Sequence, residues 1–249
     1  MENHVAITET YQIPGYSLYD PSVVKKDFTL RAMTTMEEKL RLSNPGLGTL
    51  AKVIKRCLIT NEDLDIQDLK LFDFMYLMYK TRIVTYGAGY HIGIKCPHCG
   101  RVHEVTINLD ELKVNEVPSD FKEPFKIGPL PVSQDTLECK LFTLRDLLSL
   151  NDESEEFLKK YPEYDGDPSF ILELCKRVVS VNGKNVLDLR TYMENLHALD
   201  YQYFNSEYAK LTDKFGIDTQ IELTCPHCNG KYINELPMTS EFFRPSYYN

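Results

Sequence analysis

The chain contains no tryptophan and is short of positive charge: 28 Lys and Arg stand against 37 Asp and Glu, a net charge of −9. Phosphate backbones are held by clustered Lys and Arg, and no basic stripe breaks the acidic balance, so nucleic acid is not an expected partner. No apolar run approaches the ~20 residues that a membrane-spanning helix requires, which removes the membrane from the expected partners. The start, Met1-Glu2-Asn3-His4, has neither a basic segment nor an apolar core. That is not the pattern of a secretory signal, and a reducing cytoplasm is the expected setting. Catalytic signatures are missing as well: there is no Walker A sequence, no Gly-x-Ser-x-Gly elbow and no His-Glu-x-x-His helix. Gly46-Leu47-Gly48-Thr49-Leu50-Ala51 fits a dinucleotide fingerprint only formally, because Met36 to Leu42 before it reads as helix rather than strand. A turn followed by a helix start accounts for it.

What is present is globular. Hydrophobic residues make up 43% and charged residues 26% of 249 positions, enough to build a substantial core as one large domain or two small ones. Sixteen Tyr and twelve Phe supply much aromatic contact area, which serves a core or an interface equally well. The seven cysteines are an odd number. Cys57, Cys139 and Cys175 lie in apolar or mixed segments without pairing spacing and are expected as buried free thiols.

The other four cysteines carry the chemistry. Cys-Pro-His-Cys occurs at Cys96/Cys99 and again at Cys225/Cys228. A zinc ion takes four soft ligands at about 2.3 Å, and each C-x-x-C turn supplies two from one tight loop. After the second cysteine of each pair come residues that tolerate positive φ, Gly100 in one copy and Asn229-Gly230 in the other. The flanks alternate as strands do, Tyr90 to Lys95 and Val102 to Ile107 in the first copy, Thr219 to Thr224 and Lys231 to Ile233 in the second. Each motif therefore reads as a hairpin tipped by a knuckle, with Cys96, Cys99, Cys225 and Cys228 as the ligands of one structural zinc ion. The competing reading is a redox dithiol, whose first cysteine sits at a helix N-terminus that lowers its pKa. Neither copy is followed by a helical pattern. His98 and His227 read as turn residues, His103 as a weaker alternative ligand, and His91 and His197 as structural.

The repeated knuckle belongs to a longer repetition. At an offset of 129 residues Tyr86-Gly87 meets Phe215-Gly216 and Ile92 meets Ile221. Further upstream Lys55-Arg56 and Asn61 correspond to Lys176-Arg177 and Asn182, and Phe28-Thr29-Leu30-Arg31 recurs as Phe142-Thr143-Leu144-Arg145. The order is constant and the offset grows, as small insertions in a second copy would make it. The expected fold is α+β, with internally duplicated helix-plus-hairpin units joined by a four-cysteine zinc-knuckle site about a pseudo-two-fold axis. Its divisions are an N-terminal extended arm (1–27), repeat one (28–116), a Pro-rich connector (117–141), repeat two (142–240) and an aromatic C-terminal tail (241–249). Within the repeats, Leu69, Phe72, Tyr76, Tyr79 and Ile83 form one apolar helical face, and Leu196, Leu199, Tyr203, Tyr208 and Leu211 form its counterpart. The acidic stretch 151–156 reads as a solvated helix face or loop. The aromatic ends, Tyr11 to Tyr19 and Phe242 to Tyr248, are expected to dock on the chain itself or on a partner.

A helix leading into Thr85-Tyr86-Gly87, the two Cys-Pro-His-Cys hairpins, Val181-Asn182-Gly183-Lys184 and a terminal Phe242-Phe243-Arg244-Pro245 together resemble the baseplate hub and hub-assembly proteins of T4-type tailed bacteriophages. The resemblance covers about residues 28 to 245. It implies a non-enzymatic role in tail morphogenesis, with other baseplate hub proteins as partners, in the host cytoplasm during assembly or in the virion baseplate. Homo-oligomers are compatible with it. Two other functions stay open: a thiol-disulfide oxidoreductase attacking through Cys96 and Cys225, and a nucleic-acid-binding zinc ribbon, which the charge disfavours.

Overall fold

The computed structural model describes residues 7–236 and 240–243. The fold is α+β, built from short sheets and helices. β1 (Thr8–Gln12) pairs antiparallel with β2 (Asp27–Arg31), so the segment read as an extended arm is tied down by a five-residue ladder. α1 (Thr35–Ser43) opens on a capping box in which Thr34 and Glu37 satisfy each other's orphan groups. Arg31 adds a bridge to the same carboxylate at 3.0 Å and holds Glu37 down at about 2. α2 (Leu47–Cys57) follows the turn at Gly46, where the formal dinucleotide fingerprint lies. α3 (Leu71–Tyr86) buries Phe74, Leu77, Met78, Tyr79 and Ile83 around most of its circumference. A helix without a polar face must lie inside, and α3 is the axis of the largest core, with Phe28, Leu30, Ile54 and Leu69 packed about it. The first hairpin, β3 (Gly89–Lys95) with β4 (Val102–Asn108), runs on from its end, and β5 (Val114–Asn115) follows.

The stretch read as a connector contributes β6 (Phe125–Ile127) and β7 (Leu137–Cys139) to a three-stranded sheet. α4 (Leu144–Lys160) again starts from a capping box, Thr143 with Asp146. The acidic stretch lies on this helix, where Glu153 reaches Lys176 at 2.7 Å. α5 (Pro168–Arg177), β8 (Val178–Val181), α6 (Leu189–Glu194) and α7 (Ala198–Thr212) complete a second core around Leu137, Leu174, Phe204 and Tyr208. β9 (Gly216–Ile217) then crosses back to pair with β5, and β10 (Gln220–Thr224) with β11 (Lys231–Glu235) forms the second hairpin. Phe215, Leu141 and Val117 form a small third cluster, with Phe72, Phe121 and Phe125 packed against it.

One expected stripe is wrong in detail. Tyr208 is buried as expected and Leu196 and Leu211 pack against the second core, but Leu199 and Tyr203 are 55% and 37% exposed, and α7 buries Asp200 and Phe204 in their stead. The reason is that the second hairpin does not cover its own helix: Ile217, Ile221 and Leu236 pack on the first core. A cleft of about 1890 Å³ is left between α3 and α7, with Leu71, Phe72 and Met75 on one wall and Ala209, Lys210 and Asp213 on the other.

The aromatic ends dock on the chain where they are described. Phe242 and Phe243, in a 3-10 turn at Ser240–Phe243, are buried in the first core. Residues 244–249, with Tyr247 and Tyr248, lie outside the described residues, as does the segment Met1-Glu2-Asn3-His4. At the other end Asp73, fully buried in the first turn of α3, accepts hydrogen bonds from Gly15 N (2.8 Å) and the Tyr19 hydroxyl (2.7 Å). Burial pushes its carboxyl up to about 7 against the pull of Tyr19, Gly15 and Lys70. An acid whose folded pKa is raised binds protons more tightly folded than unfolded, so its stability contribution is greatest below about pH 4 and is lost as pH rises towards 7. The stability of the wild type relative to Asp73→Asn, measured by urea unfolding, is expected to fall over that window by roughly 4 kcal/mol. A difference that stays flat from pH 4 to 8 would show that Asp73 titrates normally.

Candidate metal centre

The two hairpins present their tips in the same way. The ladders close at Lys95↔Val102 and Thr224↔Lys231, leaving six residues in each turn. Inside the first turn Gly100 N bonds Cys96 O (2.9 Å) and Cys96 N bonds Arg101 O (2.9 Å). Inside the second, Asn229 N bonds Cys225 O (2.9 Å) and Cys225 N bonds Gly230 O (3.0 Å). Such a tight reversal needs a left-handed residue after the second cysteine; Gly100 adopts φ 73° and Asn229 φ 57°.

Folding brings all four cysteines together. Their sulfurs lie within 4.8 Å of one another, with Cys96 and Cys225 buried and Cys99 and Cys228 exposed. Across the hairpins Cys96 Sγ is 3.8 Å from Cys228 Sγ, and Cys99 Sγ is 3.7 Å from Cys225 Sγ. A disulfide would require about 2.05 Å. Four thiolates on a tetrahedron with bonds of about 2.3 Å stand about 3.8 Å apart along each edge, which the two cross-hairpin pairs match. The site therefore fits a single ion with a closed shell of sulfur donors.

Electrostatics separate Cys225 from the other thiols, while the neighbouring Cys225, Cys96 and Cys99 help hold Cys228 up at about 11. Burial alone would raise Cys225, but the backbone N–H groups of His227 and Cys228 and the neighbouring thiols bring it down to about 6. Burial pushes Cys57 and Cys175 to about 11 and Cys139 to about 12, so these three are inert thiols. No helix N-terminus activates either pair, since β4 follows Cys99 and β11 follows Cys228.

The histidines are placed elsewhere. His103 does not join the sulfurs; its Nε2 is 2.7 Å from the Tyr232 hydroxyl. His98 Nε2 is 3.0 Å from the Lys231 carbonyl oxygen, also across the hairpins. His197 caps α7, its Nδ1 accepting from Leu199 N at 3.2 Å, and His91 pairs with Thr106 across β3 and β4. Tyr232 was not singled out from the sequence, although it stands at the same offset from His103 as the cysteines do from each other. That offset was the available signal.

Against known families, the model of the T4 bacteriophage base plate protein matches residues 14–244. The chain belongs to this family. No curated protein and no solved structure gives a match. Membership in the base plate family implies association with other phage base plate proteins and a place in the virion base plate. Among the described residues no helix is long and apolar enough to cross a membrane.

Proposed function

We propose that this base plate protein is a non-enzymatic tail morphogenesis protein, a hub component or hub-assembly factor that acts by binding other hub proteins, with one structural zinc ion clasping its two halves. The base plate family match over residues 14–244 carries the morphogenesis reading. The zinc reading is supported by the convergence of four sulfurs within 4.8 Å, with both cross-hairpin pairs at the edge length of a tetrahedral thiolate site; as ligands Cys96, Cys99, Cys225 and Cys228 would leave no open coordination position. A closed shell stabilises structure and leaves no place for substrate on the metal.

An internal duplication is supported by paired local features. The capping boxes of α1 and α4 are each preceded by a basic residue paired to the box acid, Arg31 with Glu37 and Lys140 with Asp146. Lys55-Arg56 and Lys176-Arg177 each end a helix, and Asn61 and Asn182 follow at φ 57° and 52°. Asp73 and Asp200 are buried in first helical turns and accept backbone N–H bonds from residues just after Pro14 and Pro131. The verbatim match of Phe28–Arg31 with Phe142–Arg145 does not belong to this set, because the first is strand and the second begins α4. The two cross-hairpin sulfur pairs exchange under the offset that relates the knuckles, as a pseudo-two-fold axis through the ion requires.

Two measurements test the proposal. Metal analysis of the purified protein is expected to find about one zinc per chain; thiol-dependent reduction of insulin in place of bound metal would favour the oxidoreductase. Co-expression with the other hub proteins is expected to give a complex or change their assembly yield, and no effect on either would count against the hub role.

A further inference from the structure

We infer that Tyr232 and His103, with His98, are positioning residues that draw the two knuckles together before the ion arrives; the inference rests on the metal reading above. His103 is the second residue of β4 and Tyr232 the second residue of β11. They stand at the offset that relates the cysteines, so each is the counterpart of the other, and only positions on the pseudo-two-fold axis can meet their own counterparts. They meet through the Tyr232 hydroxyl and His103 Nε2 at 2.7 Å, with His103 only 8% exposed. The rings of His98 and His103 stand edge-on to Tyr232 at 6.2 and 6.3 Å. On the same side His98 Nε2 reaches Lys231 O at 3.0 Å. Gly230 makes room for this contact, since a Cβ there would lie 2.6 Å from His98 Cδ2.

None of these groups is a ligand, and their effect is geometric. Two independent hairpins would lose conformational freedom on being brought together, with the sulfurs of each cross-hairpin pair less than 4 Å apart. The cross-hairpin bonds raise the fraction of metal-free chains whose sulfurs already converge, and the apparent dissociation constant scales inversely with that fraction. Groups that orient metal ligands from behind are typically worth 10–100-fold in affinity.

The test compares the full chain with Tyr232→Phe, which keeps the ring and removes the hydroxyl, and with His98→Ala. Zinc affinity measured by chelator competition is expected to weaken about tenfold in each variant, while Co2+-loaded protein keeps the same tetrahedral thiolate spectrum. Hydrogen exchange on metal-free wild type is expected to show protected amides in β4 and β11, and on metal-free Tyr232→Phe to show that protection lost. A purely structural role would lower the stability of metal-free and metal-loaded chains equally and leave zinc affinity unchanged, and that result overturns the inference. If wild type itself retains no metal, the metal reading falls first and the inference with it.

Discussion

Cys225→Ser is expected to remove the metal and to loosen the first hairpin as well as its own. The serine hydroxyl is not ionised at neutral pH and is a poor replacement for a thiolate, and Cys225 is the buried thiol that backbone N–H groups hold down at about 6. The remaining three sulfurs would leave the ion open to water and to chelators. Apparent binding energies of structural zinc are on the order of 10–16 kcal/mol, and losing even a third of that costs about 4 kcal/mol. For a chain of this length the change corresponds to roughly 10 °C in Tm. The diagnostic observation is where the loss appears. Cys225 lies in the hairpin β10–β11, yet its sulfur stands 3.7 Å from Cys99 Sγ in the other hairpin. Hydrogen exchange should therefore rise in β3 and β4, more than a hundred residues away in sequence. Retention of one ion per chain, or exchange confined to β10 and β11, would mean that each knuckle has its own ligands.

Arg82→Ala is expected to cost about as much by a different route. Arg82 is fully buried in α3, and no ion pair to a carboxylate is found for it among the described residues. Its guanidinium donates to three backbone carbonyls: Gly87 O, Gly89 O at 2.8 Å and Phe242 O at 3.0 Å. It also lies over the rings of Tyr90 at 5.1 Å and Phe242 at 5.8 Å. Burial lowers the guanidinium pKa, while the Tyr90 and Tyr86 hydroxyls work against that shift. Alanine would leave a cavity and deprive one buried carbonyl and two partly buried ones of a charged donor, a loss of about 3–5 kcal/mol. Lysine should not rescue it, because one ammonium cannot present the guanidinium's planar fork of donors to three carbonyls. The 3-10 turn at Ser240–Phe243 is expected to become accessible to protease at the same time. A loss under 1 kcal/mol, or a C-terminal turn as protected as in wild type, would show that packing of Phe242 on Tyr79, 4.8 Å between ring centroids, is sufficient alone.

The two predictions mark where the sequence was readable. The two hairpins with their Cys-Pro-His-Cys turns were legible because their chemistry is local. A Cys-x-x-Cys turn, a residue that accepts positive φ and alternating flanks all act within about a dozen residues, and both hairpins formed as read. The stripe of α3 was legible in part: Tyr76, Tyr79 and Ile83 are buried as read, but Leu69 precedes the helix, Phe72 is half-buried, and the helix is buried well beyond one face. The stripe of α7 was misread because Leu199 and Tyr203 would be core positions only if the second hairpin covered that helix, and it leans on the first core. Phe28–Arg31 misled in the same way: four identical residues became strand in one place and a helix start in the other, according to what each packs against. Arg82 could not be told from any helical arginine, since its acceptors include a carbonyl 160 residues distant.

The sequence by itself determined the turns, the helix caps, the hairpins and the supply of four soft ligands, because these depend on backbone preferences and side chains a few positions apart. Only the tertiary structure decided which sulfurs meet, that β9 returns to pair with β5 and that the C-terminal aromatics fill the first core. Those choices depend on burying apolar surface between segments with no local contact, and local pattern carries no record of which distant surface will be available.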